Sequence, residues 1–220
     1  MGIASFSGAS SVIKPGVVTS STRPSSPFVG QLIYETDTAR LAAYNGSAWV
    51  SQNSLQFIAA SGAQSAQASI SFNNCFSATY MNYRIIMENV IQSVANNMQM
   101  RLRVGGVDTS GSSYRTTRIE CNDSPSVSGV SVASTSYWTP SYVSASTDGT
   151  SLVMDIFRPF ATSVTMATAQ SSRTDSATSL NSTISSHYHT TSTSFDGFTI
   201  VPSSGTVTCT NIRVYGYSNS

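Results

Sequence analysis

"MQMRLRV", residues 98–104, alternates apolar and polar side chains without a break. A period of two puts Met98, Met100, Leu102 and Val104 on one face of a strand, and Gln99, Arg101 and Arg103 on the other. "VGGVD", residues 104–108, follows directly. It lacks the lysine and the following helix of a phosphate loop, so its glycines read as a turn with positive φ. The same grammar repeats from residue 54 onward. Strands are predicted at "LQFIA", "ASISF", "NYRIIMENV", "YRTTRIE", "SLVMDIFR", "SVTMATAQ", "ISSHYHTT", "FDGFTIVP" and "NIRVYGYS", separated by Ser/Thr/Asn/Gly turns. Short strands at this spacing predict an all-β fold, an antiparallel jelly-roll-like β-sandwich over 54–220.

Two stretches are less regular. "SATYMNYRII", 77–86, leaves room for one helical turn before its strand. The segment 124–149 carries few clear strand signals and reads either as a long surface loop or as a pair of poorly marked edge strands. As a loop it would present Tyr137, Trp138 and Tyr142 to solvent.

Composition bounds the function. Of 220 residues, 40% are hydrophobic and only 10% charged, with a net charge of +1. That is enough apolar material for a core, and it leaves no electrostatic footprint for nucleic acid or an anionic membrane. No run of 18 apolar residues occurs and the N-terminus has no signal-peptide pattern, so neither membrane insertion nor a secretory route is expected. Cys75, Cys121 and Cys209 stand far apart with no CxxC pair, and are expected to be buried, reduced thiols.

The N-terminal part divides differently. Residues 1–29 are rich in Ser, Gly and Pro, and prolines at 15, 24 and 27 oppose regular pairing. They are expected to form an extended arm, ordered where a partner supplies contacts. Residues 30–53 contain "QLIYE" and "RLAAY" around a "TDTA" turn, then Asn45-Gly46 before "SAWV". This is a short β-meander. A piece so small is barely stable alone, so Leu32, Tyr34, Leu41, Tyr44 and Trp49 are expected to pack against further copies about an axis, or against the domain that follows.

"RPSSPFVGQLIYETDTARLAAYNGSAWV" (23–50) resembles a segment recurrent in structural proteins of tailed bacteriophages. "FDGFTIVPSSGTVTCTNIRVYGYSN" (195–219) is similar to the close of those same proteins. "ISFNNCFSATYMNYRIIMENV" and "MQMRLRVGGVDTSGSSYR" look more loosely like their middle part. The resemblance covers the chain from Arg23 on and departs from the pattern at Cys209, where a glycine is expected. It implies a virion component made in the host cytoplasm and commonly homotrimeric. The first role it implies is a short tail fibre or receptor-binding protein, docked on other virion proteins through the arm, with Tyr137, Trp138 and Tyr142 stacking on host glycans. The alternative is a capsid decoration or head-fibre protein, or another minor tail component.

No catalytic constellation is apparent. There is no G-x-S-x-G elbow, and Asp155 and Glu120 are expected to serve as partners for Arg101, Arg118 or Arg158 rather than as a glycosidase pair. No cofactor is expected. "HYH", 187–189, is the one metal-like pattern, since i and i+2 in a strand point the same way. Three copies about an axis would bring the imidazoles of His187 and His189 together on a metal. The plainer expectation is a solvent-facing pair of histidines with Tyr188 in the core.

Overall fold

The computed structural model describes residues 15–51, 55–123, 126–145, 148–174 and 179–218, and every regular element in them is a strand. The chain divides into two compact units, one within residues 1–54 and one within 55–219.

The first unit is a four-stranded sheet of β1 (Gly16–Val18), β2 (Leu32–Glu35), β3 (Arg40–Tyr44) and β4 (Trp49–Ser51), in that order. Strands β2 to β4 form the antiparallel meander that the turn residues predict. At the second turn Asn45 Oδ1 accepts the Ser47 and Ala48 amides at 2.9 and 2.8 Å, and Gly46 takes a φ of 104°. β1 corrects the expectation of a separate arm over 1–29. It pairs in parallel with β2, Val17 against Tyr34. The chain after it folds back on the sheet: the Ser20 amide donates to Asp37 at 2.9 Å, and Arg23 Nε to Glu35 at 2.5 Å. Pro15 and Pro24 flank this edge strand rather than interrupt it, so they cost no ladder bond. Residues 1–14 of the expected arm lie outside the described residues.

The second unit runs through β5 (Leu55–Ala60), β6 (Gln64–Gln67), β7 (Ile70–Phe72), β8 (Asn82–Gln92), β9 (Asn96–Val104), β10 (Val107–Asp108), β11 (Tyr114–Cys121) and β12 (Val127–Thr135). It continues with β13 (Tyr142–Val143), β14 (Thr150–Phe157), β15 (Thr165–Arg173), β16 (Asn181–His189), β17 (Gly197–Pro202), β18 (Val207–Cys209) and β19 (Asn211–Tyr217). These make an antiparallel β-sandwich. One sheet has the order β12-β11-β16-β15-β14-β8, and beyond β8 come β19 with β5 and, at the far end of β8, β18 with β6. The opposite sheet is β10-β9-β17-β7, with β13 beside β9.

The period-two patterns place the core. Met98, Met100 and Leu102 of β9, with Phe198 and Ile200 of β17, meet Ile85, Met87, Met154 and Ile156 from the larger sheet, all buried. Phe72 and Phe198 stack at 4.8 Å, and Phe76 adds a ring 5.9 Å from Phe198. Val104, expected on this face, is 44% exposed because it already opens the hairpin turn. That turn has positive φ at both Gly105 (58°) and Gly106 (78°), the primed geometry that suits a two-residue hairpin.

Two less regular stretches resolve. Residues 78–79 form a turn, not a helical turn, and Tyr80 is buried with its ring against Gly216. Residues 127–135 are the edge strand β12, whose side chains are mostly exposed on both faces. Without a buried face no period two is imposed, which is why its sequence carries so weak a strand signal.

Candidate interaction surfaces

In the first unit the strand parity separates two faces. Val17, Tyr34 and Leu41 form one cross-strand row, and Leu32, Ala43 and Val50 the next. Val17, Leu32, Tyr34 and Leu41 are 69%, 40%, 38% and 41% exposed, so this apolar face is uncovered. The other face holds Ile33 and Ala42, both buried, and Glu35, buried and bonded by Arg23 and by the Thr38 hydroxyl at 2.8 Å. The Arg23 hydrogen bond holds the Glu35 carboxyl below its ordinary range, against the opposing effect of burial. Tyr44 and Trp49 face each other on this second side, rings 5.4 Å apart. The five predicted packing residues are therefore divided: Leu32, Tyr34 and Leu41 share one face, Tyr44 and Trp49 the other. A single flat interface takes the first three only.

Trp138 requires a correction. It is fully buried, bridges to Met100 across the backbone, and donates its indole N–H to the Tyr188 carbonyl at 3.1 Å. It is a core residue and does not reach a glycan. Tyr137 is half-buried, and so is Tyr142, whose ring lies 4.9 Å from the Arg173 guanidinium. An indole with its one polar atom satisfied is worth more inside than on a loop, and the sequence shows no sign of that partner.

The histidine stretch is also inverted. His187 and His189 are 3% and 0% exposed, while Tyr188 is on the outer side of β16. His187 Nδ1 lies 3.0 Å from the Thr116 hydroxyl and Nε2 2.9 Å from that of Ser185, so both ring nitrogens are engaged. Burial, with the nearby Arg118 charge, pushes its pKa down to about 3. His189 contacts Thr191 through Nδ1 at 3.0 Å and packs edge-on to Tyr114 and Phe195. Neither ring can meet copies of itself about an axis. No group of three metal-ligating side chains occurs among the described residues. The inner wall here is polar, and much of it is satisfied within the fold: Arg118 donates to Asn97 at 2.9 Å, and the hydroxyls of Ser141 and Ser171 meet at 2.7 Å.

The carboxylates serve pairing. Glu120 takes Arg118 at 2.8 Å, while Asp155 takes Arg84 in two bonds of 2.8 and 2.7 Å. Tyr217 adds a third to Asp155 at 2.6 Å. Burial works against the Asp155 charge, yet these bonds hold its carboxyl below the ordinary range. Arg101 lies 4.0 Å from Asp108. Arg158, expected to find a carboxylate, has neither a hydrogen bond nor an ion pair from its guanidinium among the described residues. Of the thiols, Cys75 and Cys209 are buried, and burial raises Cys75 to about 12. Cys121, expected to be buried, is exposed.

One surface has no counterpart in the residues picked from sequence. On the outer side of the larger sheet, Ile86, Val153, Gln170, Ile184 and Ile119 stand in one row across five strands. Val153, Ile184 and Ile119 are 38%, 60% and 55% exposed. Shallow depressions of about 670 and 380 Å³ lie along the row, edged by Ser151, Ser172, Ser182 and Ser186. In "NSTISSHYH" the parity of Ile184 carries the signal, but assigning Ile184 outward requires knowing that the histidines face in. Comparison with protein-family models, with curated proteins and with solved structures gave no match to this chain.

Proposed function

We propose that this chain is a structural protein of a tailed-bacteriophage virion, assembling as a homotrimer and serving as a short tail fibre or receptor-binding subunit. The observation that carries the self-association is the uncovered face of Val17, Leu32, Tyr34 and Leu41 on a four-stranded sheet whose other face is already occupied. Burying what remains exposed of these four side chains yields on the order of 3–6 kcal/mol per copy. That is the scale on which a small sheet gains stability from its own copies. The virion role is supported by the likeness of residues 23–50 and 195–219 to phage structural proteins and by a low-charge surface of hydroxyls and amides suited to glycans.

The test is a solution mass for the full chain by light scattering, with a trimer expected at micromolar concentration and a monomer counting against the proposal. Gold labelling of the virion then distinguishes the roles. Label at the tail tip, with purified protein adsorbing to host cells, supports the receptor-binding role. Label over the head makes it a decoration protein instead.

A further inference from the structure

Strand β14 ends at Phe157, and the chain leaves it through Arg158 with a φ of 55°. A residue with a Cβ is strained in this region where glycine is not. Strain of this kind persists where the surroundings impose it, and it gathers at ligand sites. Here the surroundings are plain. The Arg158 amide donates to the Met81 carbonyl at 2.9 Å, and the buried Pro159 offers its carbonyl to the Phe195 amide at 2.8 Å. The backbone is thus pinned on both sides, while the exposed guanidinium forms no bond among the described residues.

Arg158 stands on the wall of a cleft of about 210 Å³, together with Ser77, Tyr80, Met81 and Phe160. Met81 is 57% exposed and Phe160 37%. The cleft joins an aromatic ring, apolar surface and one permanent cation, and no carboxylate is among the described residues that line it. The C–H face of a pyranose lies well on an aromatic ring. A carboxylate pairs with guanidinium through two parallel hydrogen bonds, and Arg is the residue suited to that geometry. We infer that this cleft binds a sugar carrying a carboxylate, such as a uronic or sialic acid unit. The inference deepens the receptor-binding reading by naming a ligand class, and it relies on that reading only for the ligand's source.

The experiment follows the Met81 methyl and Phe160 ring signals of the full chain by NMR. The probes are methyl galacturonoside, N-acetylneuraminic acid and, as the neutral control, methyl galactoside. Both signals should shift and saturate with at least one acid in the millimolar range, at least tenfold more tightly than with the neutral sugar, and less at high salt. A response to one acid alone identifies the source. Arg158→Gly should abolish the response while raising Tm by roughly 2–4 °C, since it removes backbone strain and no side-chain hydrogen bond or ion pair among the described residues. Phe160→Ala should weaken binding about tenfold, which is a second route should the first variant misfold. No shift with either acid, equal response to the neutral sugar, or full binding by Arg158→Gly would overturn the inference. Binding in solution without adsorption to cells would leave the cleft standing and defeat the receptor-binding reading alone.

Discussion

At the scale of the residue, two glycines and a histidine carry much of the sandwich. A Cβ on Gly197 would lie 2.1 Å from the Phe72 carbonyl oxygen, a backbone atom that cannot step aside. A Cβ on Gly216 would lie 2.3 Å from the Tyr80 ring. Gly197→Ala is expected to cost about 3 kcal/mol in urea unfolding and Gly216→Ala about 1–3 kcal/mol, because the strands or the ring must move apart. Gly129→Ala, with open space around it, should be neutral within about 0.5 kcal/mol. His187 makes a different demand. Burial pushes its pKa down to about 3 and keeps it neutral inside the fold, against 6.5 in the unfolded chain. Below 6.5 the unfolded state takes up a proton that the folded state refuses. Its contribution is therefore complete above pH 6.5 and declines as the pH falls toward 3. The loss should reach roughly 2–3 kcal/mol by about pH 4.5. Urea titrations of wild type and His187→Gln across that window should show the flatter slope in the variant. Parallel slopes would mean that the imidazole is charged, or reached by water, in the folded protein.

Elements show where pattern reading succeeds and where it stops. β9 and β14 are legible because each has one face on an apolar core, so alternation in the sequence maps onto in and out. β16 also alternates, but its inward residues are Asn181, Thr183, Ser185, His187 and His189. Polar side chains bonded inside the fold reverse the usual assignment: Ser185 donates to the Pro140 carbonyl and His187 meets the Thr116 hydroxyl, both far along the chain. β1 was hidden for another reason: three residues of no marked period become a strand because β2 offers a free edge. The turn-back that follows depends on Glu35, buried and held by Arg23 and Thr38. Glu35→Gln should destabilise the first unit by about 1–2 kcal/mol, modest because Arg23 is partly exposed. Hydrogen exchange should show faster opening of Leu32–Tyr44 amides with the second unit unchanged. Uniform acceleration across the chain would mean that the two units unfold together.

For the molecule as a whole, the parity of the first unit sets the expected geometry of assembly. Tyr34→Ser with Leu41→Ser should shift the solution mass toward monomer and leave the near-ultraviolet signal of the core aromatics unchanged. Trp49→Ala lies on the opposite face, against Tyr44, and should act on the stability of the small sheet first. If Trp49→Ala dissociates the protein and the double variant does not, the association face is the other one.

From residues alone came the all-strand architecture, the meander with its Asn45-Gly46 turn, and the glycine hairpin after β9. Each follows from local chemistry: side-chain period, φ preference and the donors of a turn are properties of neighbours in sequence. The tertiary structure decided which aromatics are core. It buried Trp138, turned His187 and His189 inward, drew residues 16–18 into a sheet, and set the Arg158 guanidinium beside a cleft with no bond among the described residues. Those outcomes depend on groups far along the chain, a Tyr188 carbonyl, a Thr116 hydroxyl or an Arg84 that reaches Asp155 first. Such partners leave no periodic trace in the sequence that they complete.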